Sequence, residues 1–324
     1  MKIAILGAGA YAMGLAYKLS QKNKDIIMWS KVESEIDILK KTRMNERAIP
    51  GIKLPSKIKY TTDLEKAVND SEIVVIAVAT KFITSVCEEL KPFIKNQHIV
   101  IASKGIEETS CNFASKLVKN TLKTKKLCTI SGPSFAKDMV TDEVIGLSLA
   151  ATNNLTRKVV GEAFSSNNLK IRKTKDFVGV ELCGTMKNII AVASGILEGL
   201  QVSESTEAMF LTECLNDICK LIKKFGGSEK TILTFAGFGD IILTCSSTSS
   251  RNYRYGKLIG ENASKKTLDK FLKENTVEGI NTLNSIYELV KSKKIKYPFL
   301  DLIYQVTNGN ESPEKIIKFL IDKE

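Results

Sequence analysis

A single lysine interrupts an otherwise apolar stretch, GVELCGTMKNIIAV over residues 179–192. Leu182, Met186, Ile189, Ile190 and Ala193 recur at helical spacing, which predicts a buried helix carrying one ammonium, that of Lys187. Lysine can lay its methylenes along apolar surface and lift its nitrogen into water. Alternatively the nitrogen faces a cleft, where burial disfavours its charged form and makes it a usable proton donor or acceptor. Spacing alone leaves both readings open.

Other polar groups are placed suggestively. Asp240 follows a glycine in GFGD and precedes an apolar run, so it reads as a helix N-cap or as a carboxylate aimed into a site. Thr244 follows one helical turn later, on the same face. Ser250, Arg251 and Asn252 form a cluster able to surround a phosphate, with Arg251 as a forked, permanent cation; an exposed turn is the plainer reading. The Asn188 amide suits substrate hydroxyls or an interhelix bridge equally well. Lys104, in SKGIE, and Gly132, Ser134 and Ala136, in SGPSFAKD, each sit in a loop after a strand-like run. In doubly wound folds that edge of the sheet collects ligands.

Composition narrows the chemistry. With 324 residues, 43% hydrophobic and 26% charged, the chain is long enough for two cores. His98, the only histidine, opens a strand-like run, so histidine triads and multi-histidine metal sites are not expected. Seven scattered cysteines without a C-x-x-C pair fit a reducing cytoplasm and argue against structural zinc. KIAILG enters a strand at once, and runs such as IVVIAVA are too short to cross a bilayer, so neither a signal peptide nor membrane insertion is expected. The net charge of +12 is spread along the chain without interleaved aromatic residues, which suits phosphorylated small molecules better than nucleic acid.

These residues need elements to hold them. KIAILGAGAYAMGLAYKLSQKNKDIIMWS gives strand, glycine turn, helix and second strand, a βαβ unit. GAGAYA supplies Gly7, Gly9 and Ala12 as a G-x-G-x-x-A dinucleotide fingerprint: a tight turn, close backbone approach to a pyrophosphate, and close helix–strand packing. Ala10 and Tyr11 lie within the same turn, whose helix N-terminus favours phosphate. The acidic residue expected after the second strand is missing; Trp29 is followed by Ser30 and Lys31. NADPH is therefore expected to serve at least as well as NADH.

Further strand-like runs at Ile73–Val78, Ile99–Ala102, Leu127–Ile130 and Gly146–Ala150 predict an α/β fold with an N-terminal Rossmann-type, parallel doubly wound sheet. Later, helical periodicity dominates at Met186–Leu200, Glu207–Phe225, Thr276–Val290 and Pro313–Ile321. The expected division is a dinucleotide-binding domain over 1–178 and an all-helical C-terminal domain over 179–324. The long amphipathic helices of the latter point to a homodimer.

In order and spacing, GAGAYA, SKGIE, SGPSFAKD, GVELCGTMKNIIAVASGI, GFGDIILTC and SRNYRYG resemble the bacterial-type NAD(P)-dependent glycerol-3-phosphate dehydrogenases over nearly the whole chain. The resemblance implies reversible reduction of dihydroxyacetone phosphate to sn-glycerol 3-phosphate for phospholipid synthesis, with NADPH or NADH and no metal. It makes Lys187 the general acid/base, with its pKa lowered by partial desolvation, and Asp240 the carboxylate orienting it beside Thr244. Lys104 becomes a second active-site cation touching substrate and cofactor. Gly132, Ser134 and Asn188 join Ser250, Arg251 and Asn252 around the substrate; Ala136, Arg251, and Thr276 and Glu278 of TVEG are assigned to the cofactor.

The chain also departs from that pattern. Ser205, Glu207 and Glu213 stand where relatives usually carry asparagine, lysine and arginine, and Ala10 replaces a common serine. Two rivals remain at this level: a two-domain reductase of a hydroxy acid or an opine, and a regulator that binds NAD(P) without turnover.

Overall fold

The computed structural model describes residues 1–22 and 25–323. It divides into two compact units, Met1–Lys104 with Phe113–Val180, and Gly105–Asn112 with Glu181–Glu324. The segment 105–112, which a boundary at residue 178 would leave in the first domain, groups with the second unit.

In the first unit eight strands form one sheet: β1 (Lys2–Leu6), β2 (Asp25–Trp29), β3 (Ile58–Thr61), β4 (Ile73–Ile76), β5 (His98–Ile101), β6 (Leu127–Ser131), β7 (Ile145–Ala151) and β8 (Leu169–Thr174). Their order is β3-β2-β1-β4-β5-β6-β7-β8. Helices α1 (Ala10–Lys22), α2 (Glu33–Thr42), α3 (Leu64–Val68), α4 (Ile83–Leu90), α5 (Ala114–Leu122), α6 (Ala136–Met139) and α7 (Asn154–Phe164) intervene. Successive β1 residues serve opposite cores: Ile3 and Ile5 pack with α1, and Ala4 and Leu6 pack with α4 and α5. A strand buried on both faces reads as an unbroken apolar run, which is why KIAIL was legible.

Two details correct the expected parallel sheet. β7 runs antiparallel to β6, because the connection between them holds only four-residue α6, which packs against α1 instead of crossing the sheet. β3 and β8 did not announce themselves; β8 reads LKIRKT and is mostly exposed, as a charged edge strand is.

The second unit is helical among the described residues. It contains most of α8 (Phe177–Gly199), then α9 (Glu204–Lys224), α10 (Asp240–Cys245), α11 (Arg251–Gly260), α12 (Lys265–Glu274), α13 (Glu278–Ser292), α14 (Pro298–Thr307) and α15 (Lys315–Asp322). Among the described residues α8 alone is long and apolar enough to cross a membrane, contrary to the expectation that every apolar run is too short, but 89% of its most apolar window is buried within the protein.

Four glycines let α8 and α11 cross backbone to backbone. A Cβ at Gly195 would lie 2.0 Å from the Tyr253 carbonyl oxygen, and one at Gly199 2.4 Å from that of Lys257. Reciprocally, a Cβ at Gly256 would meet the Val192 oxygen at 1.9 Å, and one at Gly260 the Ile196 oxygen at 2.1 Å. No residue with a side chain fits at such a crossing.

Candidate active site

In the first unit the glycine turn is built for close approach. Gly7 has φ of +132°, and a Cβ there would sit 2.6 Å from the Ala77 carbonyl oxygen; its N–H donates to the Trp29 carbonyl at 2.7 Å. At Gly9 nothing among the described residues lies within 4 Å of a Cβ position, leaving the turn open before the first residue of α1, Ala10. An open glycine face at a helix N-terminus with no acidic residue in its first turn suits a pyrophosphate. Ala12 is fully buried, keeping helix and strand close.

Tyr11, on the first turn of α1, gathers the neighbouring loops. Its hydroxyl lies 3.3 Å from Ser134 Oγ, and the Lys104 ammonium stands 5.8 Å from its ring centroid. Ser134 Oγ donates back to the Gly132 carbonyl at 3.0 Å, and a Cβ at Gly132 would collide with the Gly146 oxygen at 2.5 Å. Thr80 Oγ1 donates to the Lys104 carbonyl at 2.8 Å, fixing that loop. Ala136 opens α6 close to Gly14 of α1.

Sequence reasoning missed two supports of these loops. Lys18, 1% exposed, donates to the Thr141 carbonyl at 2.7 Å and the Glu143 carbonyl at 2.9 Å, holding the chain after α6 against α1. Burial pulls its pKa down, although Asp142 and Glu143 oppose that shift. Asn45 Nδ2 donates to the Ala8 carbonyl at 3.1 Å, bracing the glycine turn from the loop after α2. Both are polar residues in unremarkable stretches, and only their partners reveal them. Ser30 and Lys31 sit directly after β2, but both engage carboxylates: Ser30 Oγ donates to Glu35 Oε2 at 2.6 Å, and Lys31 Nζ lies 2.6 Å from Glu89 Oε1.

In the second unit Lys187, on α8, is 9% exposed and meets Asp240, the first residue of α10, at 2.6 Å. The N-cap of α10 is Gly239, so Asp240 is free of the capping role its sequence allowed. An irregular turn, Phe235–Gly239, kinks at Gly237 and delivers Asp240 to the lysine. Thr244 Oγ1 accepts from Lys187 Nζ at 3.2 Å and donates to the Asp240 carbonyl oxygen at 2.6 Å. Desolvation disfavours an ammonium here and the adjacent carboxylate favours it, so burial and pairing act on this lysine in opposite senses. Cys245 Sγ lies 3.9 Å from the Lys187 carbonyl, and burial pushes its thiol up to about 12, which keeps it inert.

A second network joins α8, α11 and α13. Asn252 Nδ2 donates to Asn188 Oδ1 at 3.1 Å, the Gly279 N–H donates to Asn252 Oδ1 at 2.8 Å, and Asn188 Nδ2 donates to Glu278 Oε2 at 3.3 Å. Asn252 is thus an internal bridge as well as a member of the Ser250–Asn252 cluster. Ser250 caps α11 by accepting from the Tyr253 N–H at 3.2 Å, while Arg251 and Thr276 are exposed. Gly279, not anticipated, admits this approach; a Cβ there would lie 2.6 Å from the Asn188 carbonyl oxygen.

The unusual α9 positions find partial compensation. Glu213 Oε2 pairs with Lys323 Nζ at 2.9 Å, and the same ammonium reaches Asp217 at 2.8 Å. Glu207 has no such relief: burial, then Glu198 and Glu204, push its carboxyl above the usual range. Ser205 is exposed.

Comparison with known proteins gives a consistent answer. The sequence model described as NAD-dependent glycerol-3-phosphate dehydrogenase N-terminus matches residues 2–157, and the one described as its C-terminus matches residues 176–318. A glycerol-3-phosphate dehydrogenase [NAD(P)+] of Thermoanaerobacter sp. (strain X514) is 36% identical, covering 100% of this chain and 98% of its own. That of Clostridium acetobutylicum is 31% identical over 99% and 97%. Among solved structures, the glycerol-3-phosphate dehydrogenase of Coxiella burnetii superposes with a TM-score of 0.92 at 28% identity, covering 99% of both chains.

Proposed function

The chain belongs to the NAD-dependent glycerol-3-phosphate dehydrogenase family, and from that premise we propose how its own residues carry the reaction. It is an oxidoreductase that reduces dihydroxyacetone phosphate to sn-glycerol 3-phosphate, reversibly, with NAD(P)H. The nucleotide supplies a hydride to C2 of the ketone. The protein's part is to bind, orient and provide the proton.

The observation that carries the proton assignment is the buried contact of Lys187 with Asp240 and Thr244. Lys187 gives one N–H proton to the carbonyl oxygen as the C2–H bond forms, leaving a neutral amine that takes a proton again from solvent; oxidation runs these transfers backwards. Asp240 and Thr244 fix the ammonium and stabilise its charge. Lys104 adds positive charge for the developing alkoxide. Asn188 is assigned to the substrate hydroxyl, and Ser250, Arg251 and Asn252 at the start of α11 to the phosphate. Gly132 and Ser134 are assigned to the substrate as well.

The glycine turn formed by Gly7, Gly9, Ala10, Tyr11 and Ala12 holds the pyrophosphate, and Ser30 and Lys31 lie toward the adenosine ribose. Ala136, Thr276, Glu278, Lys104 and Arg251 complete the proposed cofactor contacts. A cytoplasmic setting fits seven cysteines that form no disulfide among the described residues. The product is proposed to feed glycerophospholipid synthesis, and the helical unit to form a homodimer.

The test is consumption of reduced nicotinamide on adding dihydroxyacetone phosphate, with the hydroxy acid and opine precursors of the rival reading run alongside. Turnover of the phosphate ester alone supports the assignment; turnover of a keto acid instead, or none with any substrate, overturns it.

A further inference from the structure

The end of β2 carries no acidic residue in the sequence, yet the fold delivers one there. The Trp29 carbonyl accepts the Gly7 N–H, so β2 ends beside the glycine turn. Ser30 follows, 6% exposed, with its N–H on the Thr61 carbonyl at 3.3 Å. Its Oγ accepts from the Val32 N–H at 3.2 Å and donates to Glu35 Oε2 at 2.6 Å. Glu35 is the third residue of α2 and half-buried. A carboxylate thus stands against the residue position that, in dinucleotide-binding βαβ units, reads the ribose 2′ group.

We propose that Glu35, anchored by Ser30, makes this chain select NADH over NADPH; this rests on the dinucleotide reading of the glycine turn. A carboxylate oxygen accepts hydrogen bonds from a ribose diol and repels a 2′-phosphate, which brings roughly two further negative charges. Lys31, largely solvent-exposed, offsets that repulsion only in part. Its ammonium already faces Glu89, and Glu33 adds another acidic side chain to the first turn of α2. The Lys31–Glu89 pair is exposed, with side chains 72% and 41% accessible, so it is weakly held and secondary to Glu35.

The protein's only tryptophan, Trp29, lies next to Ser30 and reports binding without turnover. Wild type, Glu35→Gln and Glu89→Gln would be titrated with NADH and with NADPH, following Trp29 emission and the ligand-induced rise in Tm. Wild type is expected to bind NADH about tenfold more tightly or better, and Glu35→Gln to reduce that ratio to about threefold or less, mainly by tighter NADPH binding. Glu89→Gln is expected to leave the ratio within about threefold of wild type. If Glu35 matters only as part of the α2 cap, its substitution weakens both nucleotides together; an unchanged ratio overturns the proposal. So does equal affinity in wild type, or a ratio that collapses in Glu89→Gln instead. Binding of neither nucleotide would be a different failure, that of the dinucleotide reading itself.

Discussion

Lys187 Nζ lies 2.6 Å from Asp240 Oδ1, with the two side chains 11% and 1% exposed. An ion pair this dry is committed to staying together, because either charge alone would be stranded without water.

Two kinds of loss are therefore expected from Lys187→Met. Turnover should fall by about a thousandfold or more, since the proposed proton donor is gone. Stability should fall by about 3–5 kcal/mol, since the buried Asp240 loses the cation that faces it. Adding Asp240→Asn to Lys187→Met should recover much of the stability and none of the turnover. Denaturant unfolding and steady-state rates on the three proteins check this; a double variant no more stable than the single one would contradict the pairing argument.

Gly256→Ala tests the helix crossing. The new methyl group would start 1.9 Å from the Val192 carbonyl oxygen, so α11 must shift or the crossing must open. The expected cost is about 1–3 kcal/mol or more. Because α11 begins at Arg251, KM for the phosphate ester should rise too. A calorimetric Tm equal to that of wild type would show that the crossing is looser than described.

His98 gives a pH dependence that can be read cleanly, because it is the only histidine. Burial, then the nearby Lys126, lower its pKa from the ordinary 6.5, against a smaller pull from Glu72; Nδ1 sits 3.0 Å from Thr156 Oγ1. The unfolded chain then binds a proton at pH values where the folded chain does not. Stability from this group is complete above its ordinary pKa and declines as pH falls below it toward the folded value. Melting curves from neutral pH down to mild acid should show that decline, and a folded His98→Gln variant should show a shallower one.

Glu207 behaves in the opposite sense. Its raised pKa means the folded protein binds a proton more readily than the unfolded chain, so stability is lost as pH rises through the ordinary 4.5 toward the raised value. Glu207→Gln should raise Tm at neutral pH, and the gain should vanish in acid. A variant that melts lower at neutral pH would mean that the carboxylate has an undescribed partner.

How legible was all this beforehand? The glycine turn, the apolar strands and the long helices follow from local patterning, so KIAIL, GAGAYA and the α8 run could be read directly. Lys187, Asp240 and Thr244 stood out by type, but their contact spans more than fifty positions and depends on a kink at Gly237. The antiparallel β7 escaped because strand direction is set by what a connection packs against, which is a tertiary matter. Glu35 escaped for a related reason: an acid was sought on the strand itself, and the carboxylate that meets Ser30 comes from the next helix.

The α8–α11 crossing also bears on how such a site can change over generations. Lys187 and Asn188 sit on one helix and the Ser250–Asn252 turn begins the other, and their spacing is fixed where backbone touches backbone. Most interhelix distances drift as side chains are exchanged for larger or smaller ones. This one has no side chain to exchange, so descendants adapting to a longer or shorter substrate would have to remodel the surrounding loops and leave the two helices as they are.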